Sequence, residues 1–268
     1  MFFRGWGVLS DWIKFMGTAG ARFVVSKQLR SSAGIWCYFK GKNILIDPGP
    51  GTLKTCFSGD QVLNPETLDV VILSHRHLDH STDVNVIVEA MTHGTFDRRG
   101  FLFAPADAVD SHEPVVFSHV RNSVESLQVL KENGSYKAGS LHFETPIRHD
   151  HTAETYGLKF YLDRGCASFI TDTKFSESLI DKYEGTDLMV MNVLLKEPFP
   201  DKEIKHLDLE AARKLIEGIK PRLAVMTHFG LTMLNNDPGL LAEELSKKTG
   251  TEVVAATDGL TIDLDQVL

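Results

Sequence analysis

The run Leu73-Ser74-His75-Arg76-His77-Leu78-Asp79-His80 places three imidazoles and a carboxylate within six positions. It follows directly on Val70-Val71-Ile72-Leu73, an apolar, β-branched stretch that reads as a buried strand. A loop leaving a strand end is where a rigid scaffold can aim side chains at one point. His75 and His77 alternate so that both rings can face one cation, and Asp79 and His80 can serve a second cation close by. Imidazole and carboxylate together suit Zn2+, Mn2+ or Fe2+. The pattern therefore points to a metal-dependent hydrolase with a two-metal centre. The chain has 11 histidines, so solitary surface ones are expected, but H-x-H-x-D-H after an apolar strand is rare by chance.

The remaining ligands have to come from later strand ends. His151 follows a strand ending near Arg148, Asp172 follows Ala167-Ser168-Phe169-Ile170-Thr171, and His228 follows Leu223-Ala224-Val225-Met226-Thr227. Each repeats one topology, an apolar strand and then a polar group. In this company Asp172 reads as a carboxylate placed to bridge two cations. His149 competes with His151 for the same role, and His151 is preferred.

The elements that must position these groups alternate between strands and helices. Strands are expected at Ile13–Met16, Ile35–Phe39, Asn43–Ile46, Val70–Leu73 and Phe101–Ala104 in the first half. In the second half they are expected at Leu141–Pro146, Gly157–Leu162, Ala167–Ile170, Asp187–Asn192, Leu223–Thr227, Val253–Ala256 and Thr261–Leu264. Helical spacing marks Val84–Met91, with Asp83 as cap, and Asp208–Ile219, where Leu209, Ala212, Leu215, Ile216 and Ile219 share a face. Residues 105–135 hold little periodicity and read as an insertion with one helix near Val120 to Val129. The expectation is one domain over 1–268, with a lid or insertion around 92–135.

Composition narrows the classes. A chain of 268 residues with 43% hydrophobic content can bury a large core without disulfides. Its 3 cysteines are scattered and form no C-x-x-C pair, which argues against a thiolate zinc site and favours a reducing cytoplasm. The net charge of −8 disfavours a protein that holds nucleic acid chiefly by its phosphates. No apolar run reaches the roughly 20 residues of a membrane span. Met1-Phe2-Phe3 and Trp6 read as a leading arm with exposed aromatics that could serve a homodimer.

Taken together, His75-Arg76-His77-Leu78-Asp79-His80, Asp47-Pro48-Gly49, His151, Asp172 and His228 resemble the metallo-β-lactamase superfamily of hydrolases, over nearly the whole chain. The resemblance implies an α/β four-layer αββα sandwich, two mixed sheets flanked by helices. It implies that His75, His77 and His151 bind one metal, that Asp79, His80 and His228 bind the second, and that Asp172 bridges them. It also implies that Asp47 lies behind the ligands and orients the first loop.

An aspartate at Asp172 speaks against a lactamase proper, which uses cysteine there. Met16-Gly17-Thr18-Ala19-Gly20, the spacing His151–Gly157, and Lys205-His206-Leu207-Asp208 resemble the branch of RNase Z and cyclic-phosphate phosphodiesterases. That branch implies His206 as a phosphate contact or general acid, so Asp79 and His206 are the candidate catalytic side chains. Asn192-Val193-Leu194-Leu195 stands where RNase Z enzymes show a histidine–glutamate pair, and the structural zinc cysteines of the phosphonate-pathway phosphodiesterase are missing. The expected activity is hydrolysis of small, including cyclic, phosphodiesters through a hydroxide bridging two divalent ions, Zn2+ first and Mn2+ or Fe2+ next. Ser31, Ser32, Arg98 and Arg99 are expected to shape the substrate mouth. The alternatives are a thioester or lactone hydrolase, an RNase Z-like ribonuclease, and a metal-free binding module.

Overall fold

Residues alternate between buried and outward-facing along Gly134–Ala138 and Leu141–Thr145, whereas all of Val70–Ile72 and Leu188–Leu195 are buried. The first pattern belongs to strands with one solvated face, the second to parallel strands covered on both faces. The computed structural model describes residues 10–58 and 61–268 and assembles these strands into two sheets. The first sheet has seven strands in the order 261–263, 12–15, 35–39, 42–46, 70–72, 101–105 and 126–130. The second runs 252–255, 223–227, 188–195, 166–170, 158–161, 141–145 and 134–138, with Leu207–Asp208 pairing alongside Leu188–Leu195.

Aromatic side chains fill the space between the sheets. Phe39 meets Phe160 with ring centroids 5.3 Å apart, and Phe103 meets Phe143 at 5.0 Å. Helix Val84–Met91 buries Val84, Ile87, Val88 and Met91, a stripe at helical spacing, on the outer face of the first sheet. Helices Leu209–Ile219 and Pro238–Thr249 cover the second sheet. The layers are helix, sheet, sheet, helix, as the resemblance implies.

Parallel pairing decides where chemistry can sit. Strands 42–46, 70–72, 101–105 and 126–130 run parallel in the first sheet. Strands 166–170, 188–195, 223–227 and 252–255 run parallel in the second. The carboxyl ends of Lys42–Ile46, Val70–Ile72, Cys166–Ile170 and Leu223–Thr227 lead into Asp47, His75, Asp172 and His228, which share one end of the sandwich.

Some local expectations differ from the structure. In place of a helix near Val120 to Val129 there is a short helix, Ser118–Ser123, and then strand Ser126–Leu130. The strand pairs along the whole of Phe101–Pro105, and that ladder outweighs a marginal helix. Two strands of the first sheet thus fall inside 92–135. Asp83 stands at the N-cap of Val84–Met91, as expected, but its carboxylate accepts from the Leu53 backbone N–H rather than from the helix. Met1-Phe2-Phe3 and Trp6 lie outside the described residues. Among the described residues, no helix is long and apolar enough to cross a membrane.

Cys37 and Cys56 are fully buried, and Cys166 is partly exposed. Burial pushes all three thiols up, Cys56 to about 12. A thiol reagent at pH 8 should therefore modify only Cys166 in the native protein, slowly, and all three after denaturation. Two fast-reacting native thiols would contradict this core.

Candidate metal centre

Asp47, at the end of Lys42–Ile46, is buried and adopts a left-handed φ of 53°, a conformation aspartate tolerates better than most residues. Its Oδ1 accepts from the Ser74 backbone N–H at 2.7 Å. Its Oδ2 accepts from the Ser74 hydroxyl at 2.6 Å and faces His80 Nδ1 at 2.9 Å. A carboxylate only accepts, so His80 carries its proton on Nδ1 and turns a bare Nε2 inward. The Ser74 hydroxyl has spent its hydrogen on Asp47, so it accepts from His75 Nδ1–H at 3.0 Å and leaves His75 Nε2 bare. His151 Nδ1–H donates to the Lys205 carbonyl at 2.9 Å, which leaves its Nε2 bare as well.

These nitrogens converge. His77 Nδ1 is 3.1 Å from His75 Nε2 and 3.1 Å from His151 Nε2. A tetrahedral zinc with ordinary Zn–N bonds spaces its ligands at roughly 3.3 Å. His80 Nε2 lies 3.0 Å from His228 Nε2, and Asp79 Oδ2 is 3.6 Å and 3.4 Å from these two. Asp172 lies between the groups. Its Oδ2 faces His75, His80, His151 and His206 at 3.6, 3.5, 3.8 and 3.7 Å. Lone pairs this close repel unless a cation or proton sits among them.

The electrostatics point the same way. Burial works against ionising Asp172 and Asp79, yet the surrounding histidines hold both carboxyls well below their usual range. Burial also opposes charge on His80, but Asp79, Asp172 and Asp47 raise it far above an ordinary imidazole. The metal-free cluster thus draws a proton into the place a divalent ion would take. The donor atoms gather into sets that could each hold a divalent cation, among them His75, His77, His151 and Asp172, then Asp79, His80 and His228, and also Asp172, His206 and His228.

Two backbone approaches shape the rim. Gly20 sits so near His228 that an added Cβ would lie 2.1 Å from its carbonyl oxygen. Gly49 would place a Cβ 2.0 Å from the Asp79 carbonyl oxygen. His228 itself has φ 62°, a strained turn just after Leu223–Thr227. His206 precedes Leu207–Asp208, and the Asp208 carboxylate caps helix Leu209–Ile219. The His206 ring lies parallel to that of His228, 5.6 Å away, and its buried Nδ1 has no hydrogen-bond partner among the described residues. Burial pushes His206 down to about 4, so it is neutral at pH 7 in the metal-free chain.

Each residue singled out as a ligand lies in this cluster, and so do His206 and Asp47. His149 does not. Its Nε2 accepts from the Tyr183 hydroxyl at 3.0 Å, and its Nδ1–H donates to Thr171 Oγ1 at 3.2 Å. Arg98 and Arg99 are also elsewhere. They donate to the carbonyls of Val124, Glu66 and Met91, at the end from which Phe101–Pro105 starts. Four supporting groups were not singled out from sequence: Ser74, Thr152, the Lys205 carbonyl and Asn192. Thr152 Oγ1 is 3.3 Å from His77 Nε2, and Asn192 Nδ2–H donates to Asp172 Oδ1 at 2.9 Å. Asn192 carried a signal, as the lone polar residue of an apolar strand. A backbone carbonyl carries none.

Comparison with known proteins places this geometry. A family model described as a beta-lactamase superfamily domain matches residues 42–229. An uncharacterized protein of Methanocaldococcus jannaschii is 30% identical over 262 residues, 94% of each chain. The metallo-beta-lactamase fold protein YhfI from Bacillus subtilis superposes with a TM-score of 0.75 at 18% identity, over 94% of this chain and 99% of that one. A diphosphatase from the PhnP family superposes with a TM-score of 0.67 at 20% identity, over 95% and 97%. At these identities the two structures speak to the fold alone.

Burial pushes His149 down to about 3. An unfolded chain takes up this proton near pH 6.5. Between the two values the unfolded state binds more protons, so stability falls as pH drops from 6.5 toward 3. In metal-free protein His149→Gln should lose stability less steeply than the parent, by about 1.4 kcal/mol per pH unit between pH 6 and 4. Urea midpoints at each pH measure this, and equal slopes would contradict the assignment.

Proposed function

The chain belongs to the metallo-β-lactamase superfamily, and from that premise we propose that it is a metal-dependent phosphodiesterase acting on small phosphodiesters at a dinuclear centre. One observation carries the step from hydrolase to phosphodiesterase. His206 Nδ1, buried and without a hydrogen-bond partner among the described residues, is turned into the site 3.7 Å from Asp172 Oδ2, beside the seven groups read as ligands. We read it as a donor kept for substrate rather than as a further ligand beside Asp172 and His228.

In this reading His75, His77 and His151 would hold one cation and Asp79, His80 and His228 the other, with Asp172 available to both. When bound, the two cations supply Lewis acidity toward phosphoryl oxygens and lower the pKa of coordinated water. Asp47 fixes the tautomer of His80 and, through Ser74, that of His75. The Lys205 carbonyl does the same for His151, so the nitrogens facing the cations stay unprotonated. His206, as a neutral imidazole, donates Nδ1–H to an oxygen of the bound phosphoryl group, where charge develops during displacement. The net charge of −8 favours small ligands over RNA.

Purified protein should hold about two divalent ions per chain and hydrolyse bis(p-nitrophenyl) phosphate, with Zn2+ or Mn2+ restoring activity after chelation. His77→Ala should lose metal and turnover together. His206→Ala should keep its metal while kcat falls about 100-fold. Full metal content without phosphodiester turnover would contradict this reading, and unchanged kcat in His206→Ala would remove His206 from it.

A further inference from the structure

Resting on the dinuclear reading above, we propose that Asn192 is a positioning residue that makes Asp172 present a single oxygen to both metals. Asn192 is the one polar residue of Leu188–Leu195, in which all eight residues are buried. This strand lies between two parallel neighbours. Cys166–Ile170 runs on into Asp172, and Leu223–Thr227 runs on into His228, with Asn192 in register with Thr227. A buried amide is costly in an apolar strand unless its hydrogen bonds are made. Asn192 is only 8% exposed, and its Nδ2–H donates to Asp172 Oδ1.

The two oxygens of Asp172 are thereby made unequal. Oδ1 is taken by Asn192, with His228 Nδ1 as its other neighbour at 3.5 Å. Oδ2 faces nitrogens of both ligand groups, His75 and His151 on one side and His80 on the other. Turning the carboxylate to give each cation its own oxygen would break a charge-assisted bond in a buried site. Asn192 therefore holds Asp172 in the orientation that brings two cations closest together. Without it Oδ1 is free, the carboxylate can turn, and the second cation loses a preformed partner. Asn192 also borders a cavity of about 40 Å³ that opens on the cluster, with Asp79, His80 and His228 in its lining beside Ser32, Thr171 and Thr227. A smaller side chain would let water enter there and stand in for the amide, so the informative substitution is apolar and of similar size.

Mn2+ titration followed by electron paramagnetic resonance tests this without relying on turnover. Wild-type protein should bind two Mn2+ and give the signal of an exchange-coupled pair. Asn192→Leu should keep first-site affinity within about twofold, weaken the second about tenfold, equivalent to about 1.4 kcal/mol, and lose or weaken the coupling. Asn192→Val, suited to a strand, replaces it if circular dichroism shows the leucine variant unfolded. Unchanged coupling and second-site affinity would overturn the role of Asn192, whether or not the metal-free protein melts lower. Absence of a coupled pair in the wild type would instead overturn the dinuclear reading and this inference with it.

Discussion

Bare imidazole nitrogens and carboxylate oxygens, buried together with their lone pairs facing inward, form the arrangement on which the rest of this molecule depends. Such a cluster is unfavourable in an empty protein interior, because desolvated lone pairs repel and desolvated carboxylates are expensive. Positive charge in its midst reverses the sign. Asp79, Asp172 and Asp47 around His80 raise it well above an ordinary imidazole, in keeping with that demand. Everything around the cluster serves to keep it assembled. Asp47 and Ser74 hold two rings from behind, and the Lys205 carbonyl holds a third. Gly20 and Gly49 let backbone come close where a side chain would push the ligands away.

The sandwich explains why one cluster can draw on such distant parts of the chain. Each sheet contributes parallel strands whose carboxyl ends meet at the same end of the molecule. His80 from the first sheet can then lie 3.0 Å from His228, which is 148 positions away. Central strands buried on both faces make the base rigid, and the aromatic packing of Phe39, Phe103, Phe143 and Phe160 fixes the sheets against each other. Catalysis needs such fixity, because a misplacement of about 1 Å at the reacting centre can cost 100-fold in rate. The same rigidity explains the value of an amide such as Asn192. In the proposed dinuclear centre a bridging carboxylate has to be aimed, and the buried Asn192 amide is placed to aim it.

Much of this was legible in the sequence, for physical reasons. His75, His77, Asp79 and His80 are adjacent, so one strand end positions all of them and the pattern is visible at a glance. Asp172 and His228 were readable because each ends an apolar run, which is the covalent trace of a buried parallel strand. Less local features escaped. The strand Ser126–Leu130 forms by pairing with Phe101–Pro105, a partner that its own residues do not specify. Arg98 and Arg99 looked close to the site in sequence, but a strand separates its two ends in space, and these residues precede the wrong end of Phe101–Pro105. His151 was preferred over His149 from the sequence, but the neighbours that part them, Lys205 for His151 and Tyr183 with Thr171 for His149, were not visible there. Asn192 stood out as a departure from an expected pattern, and its meaning appeared only once Asp172 lay beside it.

The central claim is that this cluster is a two-cation site divided by Asp172. Crystals of the metal-loaded protein, with diffraction recorded at the absorption edge of the bound metal, test it most directly. Two anomalous peaks are expected. One should lie about 2.1 Å from His75 Nε2, His77 Nδ1 and His151 Nε2, the other as close to His80 Nε2, His228 and Asp79, with Asp172 in contact with both. A single peak shared by all seven groups, or metal bound away from them, would contradict it.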